Sequence, residues 1–144
     1  MSEPSPDVMR AWIRLNTAGQ AILAEIENSL KTERLPPLSW YDALYEIEKA
    51  GAAGLRPHML QERLLLPQYT TSRLLDRLAR EGLIDRDACP DDGRGQVVAI
   101  TPEGRALRHR MWPVYSAVLE NRLGKRLEPA ETSALSALLG RLVG

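Results

Sequence analysis

A mainly α-helical fold with one small β-hairpin is predicted by three stretches of this sequence. In Gln68–Arg80, stepping roughly 100° per residue gathers Thr71, Leu74, Leu75 and Leu78 on one flank. Tyr69, Ser72, Arg73, Asp76 and Arg80 share the opposite flank, with Gln68 and Arg77 beside them. Leu83–Asp87 and Gln96–Thr101 read as strands joined by Pro90-Asp91-Asp92-Gly93-Arg94-Gly95, a run dense in turn formers. Near the start, Val8, Trp12, Leu15, Gly19, Ile22, Ile26 and Leu30 recur mostly with alternating spacings of three and four, the seam of a helix that packs on another helix. A helix stopped by Gly82 and backed by a hairpin is the plan of a winged helix-turn-helix.

In chain order, Met1–Asp7 is polar and expected to fray, and the first helix runs until Glu33-Arg34-Leu35-Pro36-Pro37 breaks it. Ser39 is read as the cap of the next helix with Asp42 as its capping-box partner, and Trp40, Ala43, Leu44 and Ile47 as its buried face up to Gly51. Pro57 suits the first turn of a short helix with Leu60 and Leu64 inward, and Leu65-Leu66-Pro67 turns into Gln68–Arg80. After the hairpin, Thr101 caps a helix with Pro102 in its first turn and an apolar stripe to about Leu123, which Pro113 should kink. A last helix starts near Glu128 and repeats Leu135, Leu138, Leu139 and Leu142. The chain therefore reads as a single domain, 1–144, with a winged helix module at 38–101. The terminal helices, 8–34 and 102–144, are apolar along lengths that one such module would not bury, which predicts a symmetric homodimer held by the chain ends.

Composition bounds the function. With 144 residues, 44% of them hydrophobic, the chain is sufficient for one real core. Its 19 basic and 19 acidic residues cancel, which argues against indiscriminate coating of nucleic acid. Locally the balance shifts: Arg56–Arg110 holds ten arginines against eight acids, whereas Leu35–Leu55 holds one lysine against three. The single cysteine, Cys89, excludes an intrachain disulfide and fits a reducing cytoplasm. No apolar run approaches a membrane span, and no signal peptide opens the chain. There is no Gly-rich phosphate loop, nucleophile elbow or His-Glu metal helix, and His58 and His109 lack neighbours at metal spacing, so neither an enzyme nor a metal or other cofactor is expected.

The helix Gln68–Arg80 is shaped for the major groove of double-stranded DNA. Gln68, Tyr69, Thr70 and Ser72 lie toward its N-terminal end, which faces the bases, and Arg73 and Arg77, one turn apart, suit a guanine edge or a phosphate. Arg94 at the hairpin tip suits the adjacent minor groove. A carboxylate on such a surface repels phosphate unless neutralised, so Asp76 is expected to pair with Arg73, Arg80 or a wing arginine and orient it, with Asp92 doing the same at the wing base. The competing readings are a winged-helix dimer that binds another protein, and a thiol-based redox regulator acting through Cys89.

The wing sequence Asp92-Gly93-Arg94-Gly95-Gln96-Val97-Val98-Ala99-Ile100-Thr101, running into Pro102-Glu103-Gly104, resembles that of the MarR (multiple-antibiotic-resistance regulator) family of bacterial transcription regulators. Thr70–Leu78 with Glu81-Gly82-Leu83-Ile84 is similar to that family's recognition helix and its exit. The chain departs from the pattern at Leu65 and Pro67, where the family often has a small residue and a capping Ser or Asp. What the resemblance implies is a homodimeric repressor on a palindromic operator, released by a small phenolic or anionic ligand. It also points to a ligand crevice where the dimerisation helices meet the DNA-binding module, to which Trp12, Trp40, Tyr45 and His58 could contribute aromatic walls and a polar group.

Overall fold

The structure, a computed structural model, describes residues 2–64, 68–88 and 96–144. The helices are α1 (Pro6–Thr32), α2 (Leu38–Lys49), α3 (Pro57–Leu64), α4 (Gln68–Arg80), α5 (Pro102–Leu119) and α6 (Pro129–Gly140), and the hairpin is β1 (Ile84–Ala88) with β2 (Gln96–Ile100). Two compact units emerge: 1–34 with 114–144, and 35–113. The boundary within α5 falls at Pro113, whose missing N–H leaves the His109 carbonyl without its helical donor.

In the unit of the chain ends, the expected frayed start is instead helical from Pro6. Ser5 Oγ accepts from the Val8 N–H at 3.2 Å, Pro6 occupies the first helical position, and Asp7 pairs with Arg10, so cap, proline and charge all favour an earlier start. The predicted seam is buried only toward its C-terminal end, at Ile26 and Leu30, while Val8, Trp12 and Leu15 are exposed. The stretch read as helix to Leu123 is α-helical only to Leu119 and continues as a π turn over Glu120–Gly124, closed by the Lys125 N–H on the Glu120 carbonyl at 2.7 Å. α6 opens with a reciprocal capping box between Glu128 and Glu131, and its Leu138 and Leu142 stay exposed.

The second unit holds the winged helix. α2 starts at Leu38 with Pro37 in the cap position and no side-chain cap bond, so Ser39 is not its cap. Pro37 already fixes the entry φ, and starting the helix at Leu38 places that side chain in the core. Ala43, Leu44 and Ile47 are buried as expected, whereas Trp40 is only half-buried. Around them close Leu60 of α3, the buried flank Thr71, Leu74, Leu75 and Leu78 of α4, and Val98 of β2.

Gly82 (φ 74°) ends α4 in a Schellman motif: its N–H reaches the Ala79 carbonyl at 3.0 Å, and the Leu83 N–H reaches Leu78 at 2.9 Å. The hairpin pairs Ile84 with Ile100, Arg86 with Val98 and Ala88 with Gln96. Leu55 adds an antiparallel bridge to Val98, with both N–H···O distances 2.8 Å, a third edge that periodicity did not reveal. Gly54 (φ 82°) permits it, since a Cβ there would meet the Val98 oxygen at 2.9 Å.

The Thr101 hydroxyl donates to the Gly82 carbonyl (2.8 Å) and accepts from the Gly104 N–H (3.0 Å), tying the exit of α4 to the start of α5. At Gly104 a Cβ would collide with the Leu83 carbonyl oxygen, which explains a glycine three residues after that threonine. Further along α5, Arg108 donates through Nε and a terminal nitrogen to the two Glu48 oxygens (3.1 and 2.9 Å) and through the other to Tyr41 Oη (3.3 Å).

Candidate nucleic-acid interface

α4 is amphipathic to the degree its sequence implies. Its buried flank fixes the helix against the core, and Ser72, Arg73, Asp76, Arg77 and Arg80 form an exposed flank, with Thr70 half-buried at its edge. Gln68 and Tyr69 open the helix, and their side chains lie outside those described, as do residues 65–67, Cys89, Asp92 and Arg94 entirely. The readings attached to Leu65, Pro67, Cys89, Asp92 and Arg94 therefore concern positions outside the described residues.

Each edge of the exposed flank meets a different neighbour. On the hairpin edge, Asp76 Oδ1 accepts from a terminal nitrogen of Arg86 at 2.7 Å, so the expected neutralising partner is a wing arginine. Strand alternation explains the choice: Arg86 stands opposite the buried Val98, on the core side of the hairpin, and half-buries its stem. Among the described residues its buried Nε has no hydrogen-bond partner, so Asp76 carries much of the guanidinium's compensation there.

On the α2 edge, the Arg77 guanidinium lies 6.0 Å from the centre of the Trp40 ring, and its Nε is 3.7 Å from a Glu81 oxygen. Arg73, between these edges, also has an interaction partner.

Of the four residues considered for a ligand crevice, the three in the winged-helix unit meet different neighbours. His58 lines a cleft of about 240 Å³ between α3, α4 and the hairpin, with Gln61, Ser72 and Arg86. Trp40 meets Arg77 instead. Tyr45, five positions further on α2, stacks on Tyr41 (centroids 6.0 Å, planes 8° apart) under Lys49 at 4.7 Å. Tyr41 in turn stacks on Trp112 at 5.9 Å, and Arg108 spans both tyrosines. The hydrogen bond from Arg108 holds the Glu48 carboxyl below the usual carboxylate range, against an opposing effect of burial, and the same bond raises Arg108. Trp12 belongs to the unit of the chain ends, where it is exposed.

Sequence reasoning left two of these placements unnamed. Arg86 could have been found from the strand alternation that puts it on the side of Val98, with Asp76 the acid facing the wing. The Trp40–Arg77 contact had no signal in the sequence, because it depends on where the first turn of α2 meets the last turns of α4.

The sequence over residues 35–95 matches the MarR family. The chain is 31% identical over 103 residues to the multiple antibiotic resistance protein MarR of Salmonella typhimurium, covering 72% of this chain and 70% of that protein. Its fold matches that of Sco3205, a MarR family transcriptional regulator of Streptomyces coelicolor determined in complex with DNA, with a TM-score of 0.89 and 21% identity over 97% of this chain and 91% of the other. It also matches BpsR of Bordetella bronchiseptica, whose DNA binding is regulated by 6-hydroxynicotinic acid, with a TM-score of 0.80 and 24% identity over 94% and 99% of the two chains. At these identities the structural likeness establishes the fold: mainly helical, with a two-stranded antiparallel wing.

Proposed function

The chain belongs to the MarR family, and from that premise we propose that it is a homodimeric transcriptional regulator, a repressor that binds a two-fold-symmetric site in double-stranded DNA. One observation carries the reading. The exposed flank of α4 carries three arginines against a single aspartate, and that aspartate is already neutralised from the hairpin. Thr70, Ser72 and Arg73, with Gln68 and Tyr69 ahead of them, take the base edges; Arg77 takes a phosphate; Arg94 enters the minor groove. No catalytic step is assigned to any residue, and the place of action is the cytoplasm, where the target lies.

The dimer is supported by apolar side chains that a single chain leaves exposed: Val8, Trp12 and Ile13 on α1, Leu138 on α6, and Leu142 and Val143 after it. A second copy covering them would make a symmetric dimer that carries two recognition helices. Release by a small anionic or phenolic effector is part of the proposal, supported by the regulation of BpsR by 6-hydroxynicotinic acid.

Selection of genomic fragments by the purified protein tests the reading. The expected product is an inverted repeat with half-sites roughly 10 base pairs apart, protected by one dimer. Recovery of no enriched sequence, or of a site lacking internal symmetry, would overturn it.

A further inference from the structure

We infer that Trp40 is a positioning residue for DNA binding: its indole face holds the Arg77 guanidinium at the edge of α4 where the phosphate backbone passes. The inference rests on the DNA-binding reading and adds to it a residue outside the recognition helix.

Arg77 sits in the last turns of α4, with 57% of its side chain exposed. Helical geometry sets it roughly 40° from Arg73 toward Glu81, and thus on the opposite edge from Asp76. An arginine so exposed samples many rotamers, and ordering it on a phosphate would draw on binding energy. Here two contacts restrict it in the free protein. The guanidinium is 6.0 Å from the centre of the Trp40 ring, at the outer limit of a cation–π contact, and Nε is 3.7 Å from Glu81.

The second contact is a solvent-exposed ion pair, with half of Glu81 open to water, and adds little rigidity. The first is different in kind. Trp40 is half-buried in the first turn of α2, between the buried Leu38 and Tyr41, so its ring has less freedom than an exposed carboxylate. A guanidinium held over an aromatic face has none of its N–H groups taken up by that contact, and phosphate needs those groups. Asp76–Arg86 and Trp40–Arg77 thus grip opposite edges of one helix, the first from the hairpin and the second from α2.

The test is a double-mutant cycle in the full-length protein, read by fluorescence anisotropy on a labelled duplex from the upstream region of its own gene and on a scrambled duplex of equal length. Trp40→Leu is expected to weaken binding about two- to fivefold, the value of an exposed cation–π contact. In an Arg77→Ala background the same change is expected to add nothing. Additive losses, or a Trp40→Leu protein that binds as tightly as the parent, would overturn the inference while leaving DNA binding intact.

Should Leu at position 40 prevent folding, fluorinated tryptophan incorporated biosynthetically keeps the ring shape and weakens its π face. Affinity is then expected to fall in the Arg77 protein and not in the Arg77→Ala protein, which also controls for Trp12 and Trp112. Equal responses in the two backgrounds would refute the role. If the parent protein binds neither duplex above the level of a control protein of equal charge, the DNA reading itself falls, and this inference with it.

Discussion

Replacing Asp76 by Asn separates two opposite expectations for an acid on a helix proposed to face DNA. If Asp76 only repels phosphate, its removal should tighten binding. If it holds Arg86, removal should loosen the joint between α4 and the hairpin and weaken binding to the cognate site. The geometry allows the two effects to be weighed. The Arg86–Asp76 distance is 2.7 Å, a charge-assisted hydrogen bond, with 54% of the aspartate side chain and 28% of the arginine side chain exposed.

Asn keeps an acceptor oxygen and loses the charge, so about 1 kcal/mol of coupling is at stake after solvent screening. Among the described residues the buried Arg86 Nε has no hydrogen-bond partner, so Asp76 is the acceptor they offer the guanidinium. The repulsion relieved is smaller. A carboxylate about 10 Å from a phosphate in water feels about 0.4 kcal/mol, and roughly a third of that at physiological salt.

Positioning therefore wins. Asp76→Asn is expected to cost about threefold to fivefold on the cognate duplex while leaving a scrambled duplex unchanged or slightly tighter. Anisotropy titrations on both duplexes measure the ratio, and thermal melts confirm the fold. Tighter binding to both duplexes in equal proportion would refute the reasoning.

Four further outcomes are expected. Arg94→Ala should weaken operator binding and reduce the salt slope of log K by about one per subunit without altering the dimer, as read by anisotropy at several salt concentrations. Glu48→Gln should flatten the loss of stability in acid: the Glu48 pKa is lowered in the folded protein by Arg108, so its contribution is present above the unfolded value near 4.5 and disappears as pH falls through the folded one; melts across that range would show it. Gly104→Ala should destabilise by about 2 kcal/mol or more, because the added methyl meets the Leu83 carbonyl and, at 2.8 Å, Ile100 Cγ1; denaturant unfolding measures it. Leu138→Asp, on the exposed apolar face of α6, should shift the protein toward monomer in analytical ultracentrifugation, and an unchanged dimer would remove that face from the interface.

The parts of this fold that were legible are those with a local cause. The buried flank of α4 followed from the spacing of Thr71, Leu74, Leu75 and Leu78, its end from Gly82, and the start of α5 from Thr101 and Pro102. The start of α1 was equally local and still missed, because Ser5-Pro6-Asp7 was read as polar tail where it is cap, first turn and dipole partner. α2 went the other way: Ser39 has the side chain of a cap, but burial of Leu38 moved the helix one residue earlier. The Leu55–Val98 bridge and the Trp40–Arg77 contact join positions more than thirty residues apart, and no periodicity within either segment encodes them.

The same distinction accounts for how a chain with no net charge can carry a nucleic-acid surface. Counting residues cancels 19 bases against 19 acids, yet charge acts through placement. Asp76 is paired with an arginine from the hairpin, so the acid on the exposed flank of α4 links that helix to the hairpin. Glu48 is engaged with Arg108 on α5, and Glu46 with Lys49 and Arg63. With Asp76 engaged by Arg86, the exposed flank of α4 itself presents Arg73, Arg77 and Arg80, and they stand on a helix whose other flank is locked in the core. On the proposed reading, discrimination between sequences depends on the angle at which that helix and its hairpin are held together. For that reason a pair as small as Asp76–Arg86 should weigh more on specificity than on stability.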